Sequence, residues 1–86
     1  MSEFLIQHTW KSENTNAVVG VVQSIAGMAQ KGQLPAGFVL RSIDVVPGDT
    51  RAFCRWQAPN KEALAGLVEK VNPPTEHTVF ELQKMS

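Results

Sequence analysis

The chain lacks the features of a disulfide-stabilised or charge-driven protein. Among its 86 residues there is one cysteine, Cys54, so no disulfide can form within the chain and the hydrophobic core must supply the stability. Eight lysines and arginines balance eight aspartates and glutamates, which gives a formal net charge of zero. This balance excludes recruitment of nucleic acid or an anionic membrane by field strength alone. We expect a cytoplasmic location, where thiols stay reduced.

Long apolar runs are missing as well. The first residues show no basic segment followed by a long apolar stretch. The densest apolar run, Ala17 to Val22, is far shorter than the roughly 20 residues that cross a bilayer. We therefore expect neither a signal peptide nor a membrane span. With 43% hydrophobic and 19% charged residues, the composition is that of a folded globular domain, which we expect to cover residues 1–86 as one unit.

Hydrophobic periodicity predicts a strand, a helix and a hairpin in the first two thirds of the chain. Alternation over Phe4 to Trp10 predicts the strand, and apolar residues at helical spacing from Ala17 to Ala29 predict the helix. Two extended runs then follow, Phe38 to Val46 and Thr50 to Ala58. The turn-forming residues Pro47-Gly48-Asp49 separate them, which indicates a β-hairpin.

The last third predicts a second helix and a final strand. Asn60 is placed to cap a short helix, which Asn72-Pro73-Pro74 ends, and Thr78 to Lys84 alternates as a strand does. The resulting order, β-α-β-β-α-β, is that of the ferredoxin-like motif. We therefore predict an α+β ferredoxin-like sandwich, in which a four-stranded antiparallel sheet carries two helices on one face.

The hairpin predicts that both faces of this sheet carry large apolar side chains. If its strands pair about Gly48, Ile43, Val45 and Phe53 share the face without helices. That face would expose an apolar patch in a single chain. We therefore expect a homodimer in which two such faces pack sheet to sheet, as in a dimeric α/β barrel.

His8 is the first candidate for a functional residue. If its side of the first strand faces the helices, a small pocket forms there, with the imidazole as a proton acceptor and indole rings as an apolar wall. The expected ligand-binding residues around it are Trp10, Ser42, Asp44, Cys54 and Trp56. The alternative is a buried histidine that one hydrogen bond satisfies within an aromatic core.

The sequence gives less support to a metal site or to nucleic-acid binding. His8 and Cys54 are good transition-metal ligand types, but a metal site generally needs three or four protein ligands and no CxxC or HxxH spacing occurs. We therefore predict no metal ligands within one chain and no cofactor. A metal site with ligands from both chains of a dimer stays an open alternative. Arg41, Arg51 and Arg55 form a basic cluster with too few aromatic neighbours for an RNA-binding sheet, so we expect no nucleic-acid partner.

Several short segments also resemble a known family. These are His8-Thr9-Trp10-Lys11, Glu13-Asn14, Ala17-Val18, Phe53-Cys54 and the start of the second helix from Ala58 to Leu64. In this order they resemble an uncharacterised bacterial and archaeal family of small domains of unknown function within the dimeric α/β-barrel superfamily. The resemblance implies a ferredoxin-like protomer whose sheet meets that of a second protomer. It selects no activity, because the superfamily includes cofactor-free quinone-forming monooxygenases, haem-dependent chlorite-decomposing enzymes and a small nickel-binding protein.

Two classes of function remain from the sequence. The first, which we slightly prefer, is a small-ligand or metal-binding module without catalytic activity. The second is a cofactor-free monooxygenase-like or isomerase-like enzyme that uses His8 beside Trp10 and Trp56. A pocket that holds a substrate ring and is lined by His8 favours the enzyme, whereas a filled core around His8 leaves only a structural or interaction role.

Overall fold

The computed structural model describes residues 2–46 and 48–85. Its strands and α-helices follow the predicted order. They are β1 (Ser2–Thr9), α1 (Thr15–Gln30), β2 (Val39–Val45), β3 (Arg51–Ala58), α2 (Lys61–Val71) and β4 (Glu76–Leu82). Pro47, part of the predicted hairpin turn, lies outside the described residues, and Gly48 beside it adopts a φ of +77°, which glycine accepts without a steric cost.

The four strands form one antiparallel sheet in the order β2-β3-β1-β4. Side chains from α1 and α2 meet side chains of β1 and β3 around one shared cavity, so both helices lie on the same face of the sheet. The predicted α+β fold with a ferredoxin-like layout is therefore confirmed. Within the described part of the chain, neither helix combines the length and the hydrophobicity that a membrane crossing requires.

The hydrophobic core joins α2 firmly to the sheet. Its buried members are Phe4, Ile6, Trp56, Ala58, Leu64 and Val68. The predicted cap of α2 is confirmed, because Asn60 Oδ1 accepts the backbone N–H of Ala63 at 2.7 Å and satisfies a donor that the first turn leaves free. On α1 the buried side chain is that of Val18, and this helix lies nearest β2, whereas α2 lies nearest β3 and β4. The two helices leave a gap between them above the sheet, which side chains from both helices line.

A β-bulge in β2 sets the register of the hairpin. Leu40 pairs with Trp56, but the next pair joins Ser42 to Arg55, so Arg41 is the extra residue. The guanidinium of Arg41 donates hydrogen bonds to the side chains of Glu3 and Gln57, and its Nε lies 3.4 Å from Glu3 Oε1. These contacts stabilise the bulge from the sheet face that carries no helix, which we name the open face.

The bulge shifts the downstream residues of β2 to the opposite faces. Ile43 pairs with Cys54 and Val45 with Ala52, on the face that the helices cover. The prediction that Ile43 and Val45 share a face with Phe53 is therefore wrong. A single inserted residue reverses the alternation, because side chains along a strand have a period of two. Phe53 itself lies on the open face.

Candidate functional site

The gap between the two helices is an apolar cavity. Its lining residues are Ile6, His8, Val18, Val21, Val22, Ile25, Ile43, Ala52, Cys54, Trp56, Leu67, Val68, Val71, Pro73 and Thr75. The cavity has a volume of about 70 Å³ and is partly open to solvent. An engineered apolar cavity of about 150 Å³ takes up benzene or xenon, so this space suits a smaller molecule or one end of a larger one.

Helical spacing explains the apolar walls. On α1, Val18, Val22 and Ile25 recur every three or four residues and so point to one side, towards the cavity. Val68 and Val71 on α2 do the same from the other side. The stripe predicted for α1 therefore faces a stripe on α2 and the sheet, and most of the side chains that the two helices present to the cavity are β-branched.

His8 supplies the main polar group at this cavity. The residue is half-buried near the end of β1, and a hydrogen bond of 2.9 Å joins its Nδ1 to Thr75 Oγ1. The ring of His77, its cross-strand neighbour on β4, lies 6.1 Å away between centroids, at a tilt of 43°. Burial, and then the nearby His77, lower the pKa of His8 from 6.5 to about 4. The imidazole is therefore neutral at physiological pH.

Cys54 lies on the same face, on β3. It pairs with Ile6 on one side and with Ile43 on the other. Burial, and then the carboxylate of Asp44, raise the pKa of the Cys54 thiol to about 11. The group is therefore a neutral thiol at physiological pH, and its chemistry is that of a small apolar side chain with a weak S–H donor.

The two tryptophans occupy different places. Trp56 is only 5% exposed and lines the cavity, and its ring meets that of Phe38 edge-on, with centroids 6.5 Å apart. Trp10 follows the end of β1 and donates its indole N–H to Thr15 Oγ1 at 3.2 Å. It lines a separate, polar depression with Lys11 and other surface residues. The expected pairing of the two indoles around His8 is therefore wrong.

Ser42 and Asp44 are also separated from the cavity. Because of the bulge at Arg41, Ser42 pairs with Arg55 and Asp44 with Phe53, on the open face. The prediction that they line a pocket with His8 is therefore wrong. The extra residue in β2 reverses the alternation of side chains, and the same reversal places Ile43 in the cavity wall. The structure therefore brings together His8, Cys54 and Trp56 of the predicted set.

Thr75 and the aliphatic wall are cavity residues that the sequence does not assign to the candidate site. Thr75 follows two prolines in the connection from α2 to β4, where no periodic pattern gives its direction. Its role depends on the register of β1 against β4, which brings the first residue of β4, Glu76, opposite Thr9. The helical stripe from Ala17 to Ala29 is visible in the sequence, but spacing alone does not distinguish a stripe that packs in a core from one that lines a cavity.

The described residues give little basis for a metal site. Within residues 2–46 and 48–85, no group of three or more His, Cys, Asp or Glu side chains is placed to hold a metal ion. The two histidines are neighbours across the sheet, but structural and catalytic metal sites generally take three or four protein ligands. A small organic or apolar ligand fits the observed lining better than a metal.

Comparison of the chain with protein families, with curated proteins and with solved structures found no match. The resemblance to small domains of the dimeric α/β-barrel superfamily therefore stays a prediction. The evidence that bears on function is the geometry of the cavity.

Proposed function

We propose that this protein binds a small, mainly apolar ligand in the cavity between α1, α2 and the sheet, with His8 as its polar contact. One observation supports the proposal: a partly open cavity whose walls are almost entirely apolar, with a single imidazole that is hydrogen-bonded to Thr75. Ligand pockets are typically concave and apolar, with a small number of oriented polar groups. Filling such a space is favourable, because its lining otherwise lacks van der Waals partners.

The enzyme alternative is less well supported by the same residues. A cofactor-free monooxygenase-like or isomerase-like reaction would need His8 as the proton acceptor. With a pKa of about 4, the imidazole is unprotonated at neutral pH but is a weak base, whereas general bases work best with a pKa near the working pH. The volume of about 70 Å³ is also small for a substrate ring. Both facts favour binding over catalysis.

Filling the cavity from within tests the proposal. We expect Val22→Phe to weaken the binding of xenon, followed by NMR, by at least about tenfold, because the added ring occupies the space between the helices. Val19→Phe is the matched control, since Val19 is 47% exposed on the same helix and does not line the cavity.

Val71→Phe fills the same cavity from α2. It provides a second test if Val22→Phe folds poorly. Xenon that binds wild type and both cavity variants equally, or that does not bind wild type, contradicts the proposed function.

We also propose that two copies of the chain associate through their open faces, in the cytoplasm. The apolar side chains of this face are Val39, Leu5, Phe53, Phe80 and Leu82. Leu5 pairs with Phe80, which is 47% exposed in the single chain. The free thiol of Cys54 supports a reducing compartment. Burying this apolar surface against a second copy would remove it from water.

The charges of the open face favour one arrangement of the copies. Arg51 and Arg55 lie on β3, on one half of the sheet, and Arg41 and Asp44 lie beside them on β2. The other half carries two carboxylates, that of Glu3 on β1, which is paired with Arg41, and that of Glu76 on β4. A two-fold axis along the strands would set each arginine-bearing half opposite a carboxylate-bearing half. Opposite charges across the interface then favour this orientation of the copies.

Sedimentation equilibrium tests this association. Wild type is expected to sediment at twice the 9.4 kDa mass of one chain. Phe80→Lys is expected to weaken the dimer by at least about tenfold, because it replaces an exposed apolar ring of the open face with a lysine that the association would bury, close to the partner's arginines. Val45→Lys is the matched control, since Val45 is 52% exposed on the edge of the opposite face. A wild-type monomer at micromolar concentration, or a dimer that only Val45→Lys weakens, contradicts the proposal.

A further inference from the structure

We infer that the cavity selects uncharged molecules with a hydroxyl group, and that this hydroxyl bonds to Nε2 of His8. The inference rests on the proposed binding function and names the chemical class of its ligand. It follows from the hydrogen bonding of His8 and from the residue types in the cavity wall.

The two ring nitrogens of His8 have different surroundings. Nδ1 is bonded to Thr75 Oγ1, which fixes the orientation of the ring at the cavity. Nε2 has no hydrogen-bond partner among the described residues. No side-chain nitrogen or oxygen in this part of the chain is fully buried without a partner, so Nε2 keeps accessible surface. It is the ring atom that remains free to bond to a ligand.

The wall contains no side chain that would balance a charge. None of its residues is Lys, Arg, Asp or Glu, and its titratable members, His8 and Cys54, are both neutral at physiological pH. A carboxylate or an ammonium group would leave water here without an opposite charge, which is strongly unfavourable. An uncharged ligand avoids this cost.

A hydroxyl suits either tautomer of His8. If Nδ1 carries the proton and donates to Thr75, Nε2 accepts a hydrogen bond, and if Nδ1 accepts from Thr75, Nε2 donates one. A hydroxyl group both donates and accepts, whereas a ketone only accepts. A small alcohol is therefore the class of ligand that the site accommodates in both cases.

Four probes with the same number and branching of heavy atoms test the inference in wild type. They are 2-propanol, acetone, acetate and isopropylammonium, each titrated at neutral pH while the NMR signals of Val18, Val22 and Val68 are followed. We expect 2-propanol to bind at least about tenfold more tightly than either ion. Equal or tighter binding of acetate or isopropylammonium overturns the inference. We also expect 2-propanol to bind more tightly than acetone, and acetone that binds as tightly as 2-propanol overturns the selection for a hydroxyl group, because a ketone only accepts hydrogen bonds.

A variant identifies the bonding atom. His8→Phe keeps an aromatic ring at the cavity and removes both nitrogens, so we expect 2-propanol to bind at least about fivefold more weakly while xenon still binds. Unchanged 2-propanol binding in this variant overturns the role of His8, since the alcohol would then bond elsewhere, for example to Cys54.

Xenon binding to wild type distinguishes a failure of the proposed function from a failure of the inferred ligand class. If xenon binds and 2-propanol does not bind more tightly than the ions, only the inferred ligand class fails. If xenon does not bind, the proposed function fails and the inference fails with it.

Discussion

Phe4→Ala is expected to lower the free energy of unfolding by about 3 to 5 kcal/mol, because it removes a ring from the centre of the core. Phe4 is 0% exposed on β1, lies opposite Trp56 of β3 and belongs to the same buried cluster as Leu64 of α2. Truncation therefore loses contacts to the sheet and to the helix that is packed firmly on it. A chain of this size is expected to have a total stability of roughly 5 to 10 kcal/mol, so much of it would be lost.

Urea unfolding followed by circular dichroism measures this loss. Phe80→Ala is the matched control, because it removes the same ring from a side chain that is 47% exposed, and we expect it to cost about 1 kcal/mol or less in a single chain. Both variants need to be measured at a protein concentration at which chains are separate, since the proposed dimer would bury Phe80. Equal losses in the two variants would mean that the core does not centre on Phe4.

The element order was predictable because local periodicity encodes it. The stripe that includes Val18, Val22 and Ile25 predicts α1, and Asn60 marks the start of α2, where its side chain accepts the expected backbone hydrogen bond. These signals arise within a few residues of each other, so they do not depend on tertiary contacts. Strand ends were less well defined: β1 ends at Thr9, before Trp10, and β4 begins at Glu76, before Thr78.

The composition of the site was only partly predictable, because it depends on the register between strands. Nothing local marks Arg41 as the bulged residue; its contacts are to Glu3, 38 positions away, and to Gln57 on β3. That single residue removes Ser42 from the helix-covered face and places Ile43 in the cavity wall. His8 was found because alternation alone sets its face, since β1 contains no bulge.

Lowering the pH from about 6.5 to about 4 is expected to destabilise the protein through His8. Its pKa is lowered from 6.5 to about 4 in the folded chain, mainly by burial and then by His77. In this pH range the unfolded chain binds a proton that the folded chain does not. The contribution of His8 to the free energy of unfolding is therefore fully present above the unfolded pKa, and it is lost as the pH falls towards the folded pKa. Since the ring keeps part of its surface in solvent, we expect a loss of about 1 to 2 kcal/mol, below the roughly 3 kcal/mol of the full shift.

Urea unfolding at a series of pH values, compared between wild type and His8→Gln, isolates this contribution. Glutamine still has an amide that can bond to Thr75 Oγ1, but it does not titrate, so the difference in stability between the two proteins should shrink in acid by that amount. Protonation of carboxylates affects both proteins and cancels in the difference. His77→Gln should retain most of the acid loss, because burial is the larger cause of the lowered pKa of His8. A difference between wild type and His8→Gln that is constant with pH would mean that His8 is solvated in the folded chain.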